Sequence, residues 1–196
     1  PAKSGEQMTN QPTALDLPKV DPLPAQTQKY FDICNEKLGM IPNVLQAHAF
    51  DIKKLDAFTA LYNDLMLAES GLTKLEREMI AVVVSATNSC FYCLTAHGAA
   101  VRQLSGDPVL GEQLVMNWRI ANVTDQQSAM LHFAEKVTLS SSKIEESDRQ
   151  DLRNNGLSDR DIWDVINVTA FFNMSNRVAS ATAMQPNAEY HSQARG

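Results

Sequence analysis

The segment that decides the fold is TKLEREMIAVVVSATNSCFYCLTAHG, residues 73–98. It begins with Thr73 and Glu76 in the spacing of a capping box, in which each side chain accepts a hydrogen bond from the other residue's backbone N–H. The helix that follows is apolar on nearly every side, and a helix of that kind is buried. Residues 86–88 predict a break before a second helix, which begins with two cysteines.

Signals of the same kind recur along the rest of the chain. Asp107-Pro108 offers a capping side chain and a proline at the first helical position, and residues 124–127 form a second capping box. Several glycines follow helical stretches, where a left-handed residue commonly ends the helix: Gly39, Gly71, Gly106 and Gly156. The sequence therefore predicts an all-α, multihelical bundle with the Cys-x-x-Cys motif at a helix N-terminus.

The prolines predict the domain organisation. Five of the eight prolines lie among the first 24 residues, a composition that favours an extended segment over a packed domain. We therefore expect a proline-rich arm over residues 1–25, a single helical domain over 26–190 and a short tail over 191–196.

Composition and charge narrow the function class. The net charge of −6 and the lack of a basic cluster argue against nucleic acid as a partner. No apolar run approaches the roughly 18 residues that cross a bilayer, and the polar start lacks the apolar core of a signal peptide. We expect a soluble, cytoplasmic protein with no membrane partner, no cofactor and no bound metal.

The motif itself indicates redox chemistry. On a helix, Cys90, Cys93 and His97 fall within a sector of roughly 60°. A helix N-terminus lowers a thiol pKa into a range of about 3.5–7.5, and the thiolate is the nucleophile. His97 can then serve as a base for either thiol. Glu78 lies on the preceding buried helix, where a carboxylate is costly unless it is paired, so we expect the two helices to bring it to His97.

Other interpretations of the two cysteines remain open. A structural zinc site needs four ligands, and here only Cys34 or a distant histidine could complete one. Covalent haem attachment needs a histidine directly after the second cysteine, where this chain has Leu94. A thioredoxin-like motif follows a strand, and no strand pair is indicated. The simplest alternative is that both cysteines only pack.

The spacing of the four candidate residues resembles that of a known family. Glu78, eleven residues, Cys90-x-x-Cys93, three residues and His97 is the active-site spacing of the alkylhydroperoxidase D-like (AhpD-like) family, within the carboxymuconolactone decarboxylase superfamily. Residues 77–85, 90–98 and 173–179 resemble its peroxidase-related branch, and the resemblance extends from about residue 30 to 190.

The resemblance implies a mechanism and an assembly. Cys93 would attack a small-molecule peroxide and become a sulfenic acid, and Cys90 would resolve it to an intramolecular disulfide. Glu78 and His97 would form the proton relay. The protein would be an antioxidant enzyme and a homo-oligomer, with the dithiol near a subunit interface. A thiol, lipoyl or thioredoxin-type reductant would restore the dithiol.

One position departs from the family's pattern. The best-known member has a second histidine just before the second cysteine, whereas this chain has Tyr92, a poor base near neutral pH. Two alternatives therefore stay beside the peroxidase: a thiol–disulfide oxidoreductase or redox sensor acting on a protein, and a non-catalytic helical oligomer. The resemblance places decarboxylase and lactonase activities in relatives that lack the Cys-x-x-Cys pair, which argues against those activities here.

Several further residues are assigned structural roles. Cys34 lies alone in a helical stretch and is interpreted as a small buried apolar residue. Arg177 shares a helical face with Asn173 and Asn176, which predicts a hydrogen-bonded network between helices. Trp163 is interpreted as a core or interface anchor. The helix that carries it, like the one starting at Thr73, is apolar on more than one face, which favours an oligomer.

Overall fold

A computed structural model describes residues 11–195. Within that range the regular secondary structure is all helical, with no strand, so the predicted all-α fold is confirmed. Two short 3-10 helices, Trp118–Ile120 and Ser141–Lys143, join the α-helices. The α-helices are α1 (Ala25–Leu38), α2 (Asn43–His48), α3 (Ile52–Leu67), α4 (Lys74–Thr87), α5 (Phe91–Ser105), α6 (Pro108–Asn117), α7 (Asp125–Ser140), α8 (Glu146–Asn154), α9 (Asp159–Ala181) and α10 (Glu189–Ser192).

Helix α4 is the centre of the molecule. It packs against α3, α5, α6, α7 and α9, and each side chain from residue 79 to 84 is at most 1 % exposed. Burying one large aliphatic side chain contributes about 1.5–3 kcal/mol, so this run of apolar residues dominates the core. The prediction of a buried helix at this position is confirmed.

The helix starts form as the sequence predicts. The Glu76 N–H donates to the Thr73 hydroxyl at 3.1 Å, and the Thr73 N–H donates to the Glu76 carboxylate at 2.8 Å. Residues 124–127 form the same reciprocal pair at the start of α7. Asp107 accepts from the Val109 N–H and Pro108 begins α6. These side chains satisfy N–H groups that have no partner within their helices.

The glycines have two different roles. Gly39 and Gly106 adopt left-handed φ angles of +71° and +66° directly after α1 and α5, so they end those helices as expected. Gly71 lies beyond the end of α3 and has no positive φ; a Cβ there would lie 1.9 Å from a carboxylate oxygen of Asp161. It is therefore required for close approach between the starts of α4 and α9.

The described part of the proline-rich arm lies against its own chain. The Ala14 N–H donates to the Thr182 carbonyl at 2.9 Å, and the Gln185 N–H donates to the Pro12 carbonyl at 3.1 Å. Residues 1–10 of the predicted arm lie outside the described residues. At the other end of the chain, the Gln193 carbonyl accepts from the Arg102 guanidinium at 3.0 Å. Both ends of the described chain are thus attached to the bundle.

Among residues 11–195, we find no helix with both the length and the apolar composition that crossing a membrane requires.

Candidate functional site

A tight turn between α4 and α5 places the two cysteines. Ser89 has a left-handed φ of +52°, which costs a residue other than glycine roughly 1–2 kcal/mol. The turn is held by hydrogen bonds from the Ser89 N–H to the Ala86 carbonyl and from the Cys90 N–H to the Ser85 carbonyl. Cys90 is the N-cap residue of α5, and Cys93 lies in its first turn.

The two thiols form one coupled pair. Both are free and fully buried. The hydrogen bond between them is the main reason that the pKa of Cys90 falls to about 6, against the opposing effect of burial. The same bond, with burial, raises the pKa of Cys93. The pair therefore loses its first proton readily and holds the second.

Helix α9 contributes polar groups to this pair. The Ser180 hydroxyl helps to lower the pKa of Cys90. The side chains of Asn176 and Ser175 hydrogen bond to Cys93 and lower its pKa. This lowering is smaller than the increase caused by Cys90 and by burial. Sequence reasoning placed Asn176 in a structural network and did not assign Ser175 or Ser180 to the site.

Glu78 and His97 meet directly. The Nδ1 atom of His97 lies 2.6 Å from an Oε atom of Glu78, and both side chains are largely buried. The imidazole edge also packs on the Phe172 ring, with the centroids 4.6 Å apart. A carboxylate at Nδ1 fixes the ring orientation and leaves Nε2 available for proton transfer. The two helices thus bring together the pair that the sequence proposed.

A cavity of about 550 Å³ opens onto these groups. Cys93, His97 and Glu78 line it, whereas Cys90 does not. Its walls are mainly apolar side chains from α1, α3, α5 and α9, which is the common character of sites for small organic molecules. Of the two thiols, Cys93 is therefore the one that a small molecule in the cavity can reach.

Comparison with known proteins shows which proteins this chain is similar to. The model of the carboxymuconolactone decarboxylase family matches residues 54–136. An uncharacterized peroxidase-related protein from Silicibacter sp. TM1040 is 70 % identical, with a TM-score of 0.93 over 96 % of this chain and 100 % of that one. One from Ralstonia eutropha JMP134, described as an alkylhydroperoxidase AhpD core, is 38 % identical, with a TM-score of 0.90 over 94 % and 97 % of the two chains.

The chain belongs to the AhpD-like, peroxidase-related proteins of the carboxymuconolactone decarboxylase family. The debrominase Bmp8 shares the fold alone, at 16 % identity and a TM-score of 0.76 over 96 % of this chain and 98 % of that one. Comparison with curated protein sequences gave no match.

All four tyrosines of this AhpD-like protein line the cavity. Burial raises the pKa of each of them, and the negative charge of Glu78 adds to the increase for Tyr62 and Tyr190. All four therefore remain protonated hydrogen-bond donors near neutral pH. They are Tyr30, Tyr62, Tyr92 and Tyr190. They lie on four different helices, and their separation in sequence gave no signal that they would converge.

Tyr92 occupies the position where the sequence departs from the family's pattern. Its hydroxyl oxygen accepts a hydrogen bond from the Val44 N–H at 3.0 Å, in the first turn of α2. Its raised pKa agrees with the sequence argument that it is a poor base. Tyr92 therefore connects the dithiol helix to α2 and fixes part of the cavity wall.

The predicted network between helices forms through Asn173 and Asn176, but the prediction is wrong for Arg177, which in the described part of the chain bonds only within α9. The Asn176 amide donates to the Ser85 hydroxyl at 2.9 Å and accepts from the Asn88 amide at 3.0 Å, joining α9 to the end of α4. Arg177 is exposed and donates to the backbone and side-chain oxygens of Asn173 within α9. Arg177 therefore lies outside the cavity and supports the helix that forms one of its walls.

Cys34 is buried, as expected, but it has an additional position on the cavity wall. Burial raises its pKa, against smaller effects of Tyr30 and Lys37. The cavity therefore contacts two of the three cysteines, of which only Cys93 has an acid–base pair and a second thiol beside it.

Proposed function

We propose that this AhpD-like protein is a thiol-dependent peroxidase that reduces organic or hydrogen peroxides. One observation carries the proposal: Cys93 faces an apolar cavity beside the Glu78–His97 pair, with Cys90 hydrogen bonded behind it. A nucleophile, a proton relay and a second thiol are the three components that a dithiol peroxidase requires.

The first step oxidises Cys93. In the resting pair, the proton of Cys93 passes along the shared hydrogen bond to the Cys90 thiolate. The Cys93 thiolate attacks the terminal oxygen of the hydroperoxide, so that an S–O bond forms and the O–O bond breaks. The leaving alkoxide takes a proton from protonated His97, which Glu78 holds in place. The products are an alcohol and a sulfenic acid on Cys93.

The second step closes the disulfide. Cys90 gives its proton to His97 and attacks the Cys93 sulfur, forming the S–S bond while hydroxide leaves. Hydroxide receives the proton from His97 and departs as water. An external thiol or dithiol then reduces the disulfide and is itself oxidised. Over one cycle the peroxide gains two electrons and the external thiols lose two.

The geometry favours a small-molecule substrate over a protein one. Thiol–disulfide exchange with a protein requires a sulfur that the partner's thiolate can approach. Both sulfurs here are fully buried, and the cavity leads to Cys93 only. A protein thiol–disulfide oxidoreductase is therefore the weaker alternative.

The test combines turnover with chemical trapping. Purified protein should consume cumene hydroperoxide or hydrogen peroxide with dithiothreitol as reductant. The Cys90→Ser variant should accumulate a sulfenic acid on Cys93 that a dimedone probe labels. Cys34→Ser is the matched control, in which the label should not accumulate because Cys90 still resolves the sulfenic acid. Labelling of Cys90 in Cys93→Ser, without labelling of Cys93 in Cys90→Ser, would reverse the roles. Stoichiometric zinc that is lost in Cys90→Ser would instead support a metal site.

A further inference from the structure

The rim of the cavity differs in charge from the rest of the chain. The chain carries a net charge of −6, yet the charged side chains that line the cavity are Lys37, Lys74 and Glu78. Glu78 lies at the buried end and is paired with His97. Among residues 11–195, the charged side chains at the outer part of the cavity are therefore the two lysines.

The two lysines are available for a ligand. Lys37 lies in the last turn of α1 and Lys74 begins α4, and both side chains are exposed. Within residues 11–195, neither ammonium group lies within 4 Å of a carboxylate. Lys74 is one turn from Glu78 on the same helix, a spacing that allows a pair, but Glu78 contacts His97 instead.

Between the rim and the dithiol the cavity is apolar. Aromatic and aliphatic side chains form this part of the wall: Leu45, Phe58, Met66, Phe171 and Phe172. Tyr62 and Tyr190 also line the cavity. The cavity thus combines two exposed lysines, an apolar wall and the reactive thiol.

We infer that the cavity binds a long-chain carboxylic acid, with its carboxylate at Lys37 and Lys74 and its hydrocarbon chain against the apolar wall. An amphipathic anion matches the cavity at both ends, because burial of the chain is favourable and each lysine forms a charge-assisted hydrogen bond. This inference rests on the proposed peroxidase only in naming the substrate as the hydroperoxide of such an acid.

The lysines and the thiol act on different groups of that substrate. Four residues of helix separate Lys74 from Glu78, an axial distance of about 6 Å. Hydrogen peroxide and tert-butyl hydroperoxide carry no carboxylate for the lysines. An acid that carries the hydroperoxide group along its chain has a group for each.

Binding can be measured without turnover. We would titrate the reduced full-length protein with dodecanoate and with dodecanol by isothermal calorimetry. Dodecanoate should bind about tenfold more tightly, because hydrogen bonds to charged groups are stronger than those to neutral ones. In the double variant Lys37→Met/Lys74→Met, the preference for dodecanoate should disappear, and the affinity for dodecanol should stay unchanged. The control is Lys53→Met/Lys143→Met, which removes the same charge from exposed lysines outside the cavity. This control should keep the preference for dodecanoate.

A second readout locates the ligand. Bound dodecanoate should slow the alkylation of Cys93 by iodoacetamide several-fold, measured by peptide mass spectrometry. Equal affinity for dodecanoate and dodecanol, an equal loss in the control pair, or an unprotected Cys93 would each overturn the inference. Selective dodecanoate binding without peroxidase turnover would reject the proposed function and leave the binding site standing. Turnover of cumene hydroperoxide without selective binding of dodecanoate would reject the binding site and leave the proposed peroxidase function standing.

Discussion

Helices α4 and α9 begin alike and end in different surroundings. Residues 71–76 and 156–161 share the pattern Gly-Leu-Thr/Ser-x-x-Glu/Asp, and both form capping boxes. Both helices are also apolar on more than one face. Nevertheless, α4 is enclosed by its own chain, whereas α9 leaves Trp163 63 %, Met174 46 % and Val178 40 % exposed. The apolar side chains of α4 thus face the core, whereas α9 buries one part of its apolar side chains and exposes another part to solvent.

The difference shows what a helical pattern leaves undecided. Apolar residues on several faces indicate that a helix must be covered, but they do not say by what. For α4 the cover comes from the surrounding helices of the same chain. For α9 the exposed side chains form a surface that fits our proposal of a homo-oligomer, since exposed apolar patches commonly mark interfaces.

The two helices also divide the chemistry. Helix α4 provides the carboxylate, Glu78, which lies next to the imidazole. Helix α9 provides neutral polar groups, Ser175, Asn176 and Ser180, which contact the thiols. The acid–base pair and the tuning of the thiols can therefore be changed separately.

A matched pair of methionine substitutions tests the comparison with the largest expected effect. Met79→Ala in α4 should cost about 2–5 kcal/mol of unfolding free energy, because it leaves a cavity in a closed core. Met174→Ala in α9 should stay within about 0.5 kcal/mol at low protein concentration. Urea unfolding followed by circular dichroism measures both.

The same pair tests the oligomer. Light scattering of the wild type at micromolar concentration should give more than one subunit, and Met174→Ala or Trp163→Ala should lower the mass. A monomeric wild type would defeat the proposal. Equal destabilisation by Met79→Ala and Met174→Ala in a monomer would remove the contrast between the helices.

The second prediction concerns α4 alone. Glu78→Gln keeps the shape of the side chain and its contact with His97 but removes the charge that supports the proton relay. Peroxidase turnover should fall by on the order of 100-fold, as on loss of a general acid–base group. Thermal stability should change little. Unaltered turnover in a folded variant would exclude Glu78 from the mechanism.

The elements that local signals define were predictable from the sequence. The helix starts at Thr73 and Asp107 are examples, because each capping side chain accepts a hydrogen bond from a backbone N–H only two or three residues away. Pro108 has no N–H that needs a partner. The geometry of these helix starts therefore depends little on the rest of the chain. The approach of Glu78 to His97 was also accessible, because a short turn joins their helices and a buried carboxylate requires a partner.

The cavity was not predictable because it depends on long-range packing. Tyr30, Tyr62 and Tyr190 lie on helices far apart in sequence, and no spacing rule connects them. The sequence predicted that Gly71 ends a helix. In the structure its role is to leave space for the side chain of Asp161, which lies 90 positions later in the sequence. A single sequence carries no signal for such contacts.

The third prediction tests the connection between α4 and α9. Asn176→Ala should lower the free energy of unfolding by about 1–3 kcal/mol, because it leaves the buried Ser85 hydroxyl without its hydrogen-bond partner. Asn173→Ala is the matched control: Asn173 is half-buried, and the loss should be smaller. Urea unfolding of both variants gives the difference. A greater loss from Asn173→Ala would mean that the connection runs through another part of the network.

The last prediction, with the smallest effect, concerns the influence of α9 on the thiols. The pKa of Cys90 is lowered to about 6 from its model-compound value of 9.0, mainly by Cys93 and to a lesser degree by Ser180. Thiolate absorbance at 240 nm should therefore rise with a midpoint near pH 6. Cys93→Ala should move that midpoint well upward, and Ser180→Ala should move it upward by less. Thr182→Ala removes a half-buried hydroxyl at the end of the same helix that bonds to the Val178 carbonyl, and it should leave the midpoint unchanged.

The sign of the linked stability follows from the direction of this shift. Because the folded protein ionises Cys90 more readily than the unfolded chain, folding gains free energy as the pH rises from about 6 toward 9, and it loses that gain as the pH falls through 6. The stability difference between the wild type and Cys90→Ala should therefore grow across that window. When both proteins also carry Ser180→Ala, this stability difference should begin to grow at a higher pH. If it begins to grow at the same pH, Ser180 does not affect the pKa of Cys90. Helix α9 would then position the dithiol without changing its ionisation.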